Sequence, residues 1–177
     1  MARLLRNITK AKWVALNWMQ RGDVPADALA DLRATHNQLS VWRVESGDAA
    51  GLKMALAALA SNREKLDNLD YTLLDEALLP AIPTKYVKSD GATPHLAANG
   101  DLHCDLTDLT AGKVLRIAEA MMQMEHIRVP QSEVKRLLLD AVEEGALDRD
   151  KIDDRLKYEL GIGELKKCQS CGSWPRR

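Results

Sequence analysis

The 177-residue chain holds 25 Lys/Arg against 26 Asp/Glu, is 46% hydrophobic and contains no Phe. Those proportions exclude wholesale disorder and imply a core of Leu, Val, Ile, Met and Ala, a composition that suits closely packed helices. No run approaches the roughly 20 apolar residues that span a bilayer, so no membrane association is expected.

Charge is uneven along the sequence. Residues 1–21 carry five bases and no acid, and residues 22–110 carry seven bases against fourteen acids. Residues 111–163 carry nine against eleven, and the tail 164–177 carries four against one. Basic ends on an acidic middle read as a solvated surface. Nucleic-acid binding by the two termini is the alternative, and the balanced overall charge disfavours it. The basic start runs into "WVALNWM" with no small-residue cleavage site, and the three Cys are an odd number. Both features point to a cytoplasmic protein with reduced thiols.

In sequence order, Arg3–Ile8 is expected as a strand and Lys12–Met19 as a helix, followed by a break at "GDVP". Asp23 and Pro25 signal a second helix through "PADALADLRAT". "QLSVWRVES" alternates as a strand, with Leu39, Val41 and Arg43 on one side and Ser40, Trp42 and Val44 on the other. Gly47 makes a turn, and Asp48 caps a helix from Ala49 to about Asn62 with Leu52, Leu56 and Leu59 on its apolar stripe. "LDYTLLD" follows as another strand. This strand–helix–strand run predicts a βαβ unit with two parallel strands and a right-handed crossover.

From Leu79 to Asp105, Pro80, Pro83, Gly91, Pro94 and Gly100 punctuate the sequence, so a long loop or lid is expected there. Three helices are then expected. One runs through Lys113–Glu125 behind Thr107 or Thr110, one through "SEVKRLLLDAVEEG" ending at Gly145, and one through "DKIDDRLKYEL" ending at Gly161. The expected fold is therefore helix-dominated α/β: a short, partly parallel sheet with crossover helices in the N-terminal half, and a helical C-terminal half. One compact domain is expected over 1–163, comprising an α/β part at 1–79, the loop at 80–106 and helices at 107–163. A basic tail covers 164–177.

That tail, "KKCQSCGSWPRR", places Cys168 and Cys171 in a C-x-x-C pair. Such a pair supplies two of the four ligands that tetrahedral zinc requires. Cys104 is the remaining thiol, and His103 beside it is a candidate fourth ligand. Adjacent residues in an extended segment face opposite ways, so one ligand from that pair is more natural than two. A structural zinc on Cys168, Cys171 and one or both of Cys104 and His103 is thus the metal expectation. A dimer in which each protomer gives one C-x-x-C to a shared zinc is a second route. A thioredoxin-like role fails on context, because only six residues follow Cys171. Trp174, with Arg176 and Arg177, is the candidate partner anchor, since protein interfaces favour Trp and Arg.

The other groups have structural explanations. "GDAAG" sits where phosphate loops are found, yet lacks both the P-loop ending and the dinucleotide glycine spacing. Asp70, Asp75 and Glu76 flank a strand, and Asp75 also fits a cap. The cations Lys135, Arg136, Arg149, Lys151 and Arg155 are crowded by acids that repel a phosphate backbone. The function expected is a non-catalytic accessory or regulatory protein, acting through contacts with a protein partner or a second copy of itself in a larger assembly. The alternative is a small metal-dependent hydrolase using His95, His103 and Asp105.

Overall fold

The computed structural model describes residues 2–82 and 84–164. Six strands, β1 Ala2–Ile8, β2 Leu39–Glu45, β3 Leu69–Asp75, β4 Lys85–Lys88, β5 His103–Thr107 and β6 His126–Val129, form one sheet. Among the described residues five α-helices accompany them: α1 Ala49–Ser61, α2 Leu96–Asp101, α3 Ala111–Met122, α4 Gln131–Glu143 and α5 Asp154–Leu160.

The strand order is β4-β5-β2-β1-β3-β6, and every adjacent pair is antiparallel. This overturns the expected partly parallel sheet. The crossover β2–α1–β3 does bring two strands back in the same direction, but β1 lies between them. Leu5 faces Trp42 on one side and Leu73 on the other, so the two strands never share a ladder. The helical second half is overturned too, because β5 precedes α3 and β6 lies between α3 and α4. The stretch expected as a long loop contains β4 and α2 and runs into β5. Among the described residues, no helix is long and apolar enough to cross a membrane.

Both sheet faces are covered, which follows from strand alternation. In β1, Leu5 joins one core with Trp42, Val44, Leu69, Tyr71 and Val129 beneath α1, α4 and α5. Leu4 and Ile8 join the other with Leu39, Val41, Cys104 and Leu106 against α3. Neighbouring Leu4 and Leu5 are both fully buried, on opposite faces. Burying each is worth about 1.5–3 kcal/mol. On α1, the row Ala55, Ala57, Ala58 and Ala60 is buried, and its small side chains let the helix lie close to the sheet and to α4.

The expected caps are in place. Asp48 accepts from Gly51 N at 2.9 Å and Thr110 Oγ1 accepts from Lys113 N at 3.3 Å. Gly161 ends α5 with φ +81°, a left-handed conformation that glycine adopts without a Cβ clash. The N-terminal helices differ from expectation. Lys10–Trp13 and Ala26–Leu32 are 3-10 segments, and beyond Trp13 the backbone projects as a loop. Val14, Leu16 and Trp18 are all exposed there, so none of them pins a helix to the sheet. A carboxylate ties these segments down instead. Asp31 accepts from Thr9 N (2.6 Å), Thr9 Oγ1 (3.2 Å), Lys12 Nζ (3.0 Å) and Trp13 Nε1 (2.9 Å).

Candidate functional site

The sheet face beneath α1 is not apolar along its whole length. Where β1 ends and β2 begins, positions that alternation assigns to that face are polar: Asn7 on β1, Ser40 on β2, and His103 and Asp105 on β5. They floor a pocket of about 480 Å³, within the range of small-molecule sites. Its walls are the end of α1 (Leu59, Asn62), the segment Asp90–Thr93, and the turn that leads into β2.

That turn is built by two consecutive left-handed residues, His36 (φ +53°) and Asn37 (φ +61°). Thr35 and Gln38 exchange both backbone hydrogen bonds at 3.0 Å. This is the two-residue hairpin whose twist matches the strands it joins. It sets Arg33, His36 and Gln38 at the pocket mouth. Among the described residues, the side chains of Arg33, His36, Gln38, Asn62 and Asp90 make no hydrogen bond or ion pair.

The floor is ordered. Ser40 Oγ donates to Asp105 Oδ1 at 2.9 Å. The His103 ring stands edge-on to Trp42, with centroids 5.1 Å apart. Its Nδ1 lies 3.0 Å from Ser89 Oγ and 3.3 Å from the Ser89 carbonyl. A carbonyl only accepts, so a bond to it requires a proton on Nδ1.

Arg6 closes the β1 side. It donates from Nε (3.1 Å) and Nη2 (2.7 Å) to the Asp31 carbonyl, and from Nη1 (2.7 Å) to the Ser40 carbonyl. Burial pulls its pKa below the ordinary value, opposed by the nearby Asp31 charge, and the group stays cationic. Among the described residues its hydrogen-bond partners are carbonyls only, and two of its five N–H bonds are uncommitted.

His103 and Asp105 thus come together. His95 does not join them. It is buried at the start of α2, where Nδ1 accepts from Ala98 N at 3.3 Å and the backbone bridges to Leu147. Burial lowers its pKa, which keeps it neutral and able to accept. Cys104 lies on the opposite sheet face from His103, its sulfur 3.0 Å from Tyr86 Oη and 3.4 Å from the Leu102 carbonyl. The expected divergence of that pair is what the strand produces. Cys168, Cys171, Trp174, Arg176 and Arg177 lie outside the described residues. Among the described residues, no cluster of three or more His, Cys, Asp or Glu is placed to share a metal ion.

Most of the remaining candidates have structural partners. Asp70 takes a two-point ion pair from Arg128 (2.7 and 2.8 Å) together with Lys10 N (2.9 Å). Asp75 accepts from Ala77 N at 3.1 Å. Arg136, Lys151 and Arg155 pair with Glu133, Asp148 and Glu159. Trp13 and Trp42 are core residues, whereas Trp18 is 77% exposed, beside Val14 at 58% and Leu16 at 49%. The protein matches no family model, no curated protein and no solved structure.

Sequence reasoning missed Arg6, Asn7, Arg33, His36, Ser40 and Asp90 as members of one site. The available signal was Ser40 and Asn7, polar residues in otherwise apolar strands. Only the strand order, which sets β5 beside β2 and β2 beside β1, shows that they meet Asp105 and His103.

Proposed function

We propose that the protein is a non-catalytic accessory or regulatory protein whose pocket at the end of the sheet binds a small polar molecule. The observation that carries this is the ordered polar floor beneath a rim of unpartnered polar side chains. A floor held in place, together with rim groups free of partners among the described residues, suits an orienting site.

Thermal unfolding with a panel of small polar metabolites tests the proposal. A true ligand at a hundred times its Kd raises stability by about 2.7 kcal/mol. Asp105→Ala and His103→Ala remove that gain, and no ligand is consumed. Ligand turnover with added zinc or manganese that disappears in His103→Ala would instead establish the hydrolase.

A second reading rests on the exposed row Val14, Leu16 and Trp18. The loop is held by Met19 N to the Leu16 carbonyl (2.9 Å) and by paired bonds between Gln20 and Asp23. A pre-ordered Trp suits contact with a protein partner in a larger assembly. Structural zinc on Cys168 and Cys171 is a separate proposal. Metal analysis of the purified protein tests it, with one zinc per protomer lost in Cys168→Ser as the expected result.

A further inference from the structure

The charges around the pocket are sorted. Cations lie toward β1 and the turn (Arg6, Arg33), while acids lie toward β5 and the segment after β4 (Asp105, Asp90). Ser40 stands between them. Its carbonyl takes Arg6 Nη1 at 2.7 Å and its hydroxyl reaches Asp105 Oδ1 at 2.9 Å. Arg6 and Asp105 form no ion pair with each other, and the shared contact with one residue keeps the two ends within roughly 9 Å.

Among the described residues, a half-buried cation bonded only to carbonyls and a carboxylate with one serine donor both retain capacity for an opposite charge. A compact molecule with its own anion and cation a few ångströms apart fills that gap, adding one charge-assisted bond at each end. An anion alone would leave Asp105 facing it, and a cation alone would face Arg6.

We infer that the pocket takes a free α-amino acid or an equally compact zwitterion, its carboxylate on Arg6 and Arg33 and its ammonium on Asp105 and Asp90. The cavity leaves room for a side chain beside Trp42 and His103. This inference rests on the binding function proposed above.

Isothermal titration of the full-length protein with the common L-amino acids, one at a time, tests it. The best binder is then compared with its N-acetyl and C-amide forms. At least one free amino acid is expected to bind with Kd below about 1 mM. Each blocked form should bind at least tenfold more weakly, the loss of one charge-assisted hydrogen bond. Asp105→Asn, which keeps an acceptor for Ser40, should erase the difference between the free and N-acetyl forms. Arg33→Gln, at an exposed and unpartnered position, should narrow the difference between the free and C-amide forms.

Blocked forms that bind as well as the free amino acid overturn the inference, as does zwitterion binding unchanged in Asp105→Asn. If an uncharged molecule such as ribose or glycerol binds and no amino acid does, the inference fails and the binding function stands. If neither class binds up to about 10 mM, both fail.

Discussion

Asp31→Ala is the substitution that most directly tests how the N-terminal segment and the pocket wall are held. The carboxylate is largely buried, with 9% of its side chain exposed, and it satisfies four donors from three residues. The ion pair with Lys12 counts for almost nothing, since that amine is 35% exposed and returns to water. Thr9 is exposed, so its two donors also find water at small cost. The indole N–H of Trp13 does not, because Trp13 is 2% exposed. Leaving that donor unpaired costs about 1–3 kcal/mol, and the exposed bonds add little to it. A total near 1–3 kcal/mol lowers the urea midpoint by on the order of 1 M, for a slope of about 1–3 kcal/mol/M. Burial pushes the Asp31 pKa up, but the bonds from Thr9, Trp13 and Lys12 outweigh it, so the net shift is downward. The contribution is therefore present above the unfolded pKa near 3.8 and is lost as pH falls through the lower folded value. Urea titrations of both proteins at several pH values measure the gap, and indole hydrogen exchange reports on Trp13. A midpoint unchanged within about 0.2 M, with Trp13 still protected, would refute the anchoring argument.

Other substitutions probe separate features. Arg128→Ala removes the two-point partner of Asp70, whose pKa is lowered first by Arg128's hydrogen bonds, with burial opposing. The stability gap from wild type should be widest above pH 4 and close as acid protonates Asp70, measured by thermal unfolding against pH. Burial lowers the His95 pKa, so the unfolded state takes up the proton first and stability should fall as pH drops below about 6.5. His95→Asn keeps a good helix cap and should flatten that part of the profile without altering ligand binding. Leu138→Ala, at a fully buried position on α4, should cost about 2–5 kcal/mol in chemical denaturation. Trp18→Ser should leave stability within about 0.5 kcal/mol of wild type. If the loop docks a partner, the same change should weaken that association in sedimentation experiments.

Much of the local structure was legible because local forces decide it. β2, α1 and β3 follow from alternation in "LSVWRVE", a capping Asp48 and a run of Ala and Leu, and the structure places them where those signals lie. The misjudged elements are those whose composition speaks for something else. β5, "HCDLT", carries residue types that read as chemistry, although Cys104 and Leu106 alternate with His103, Asp105 and Thr107 as any two-faced strand does. β4, "KYVK", is a four-residue edge strand with a Lys at each end, the kind of edge that resists pairing with another molecule and also hides the strand signal. Neither was recoverable from propensity alone. Treating both as loop removed two strands from the sheet, and missing the short β6, "HIRV", between α3 and α4 left the second half looking helical.

The site was hidden for a different reason. His103 and Asp105 are two residues apart, so their shared face could be deduced once β5 was seen as a strand. The other half of the pocket depends on β1 inserting between β2 and β3. A parallel β2–β3 pair would have left Arg6 and Asn7 elsewhere. With β1 in the middle, its polar end is brought to the start of β2, and Ser40 becomes the residue that both Arg6 and Asp105 touch. The correction to strand order and the existence of a charge-sorted pocket are therefore one fact. A protein with the same helices and strands but a parallel core would not bring Arg6 and Asp105 to the one residue, Ser40, that both touch.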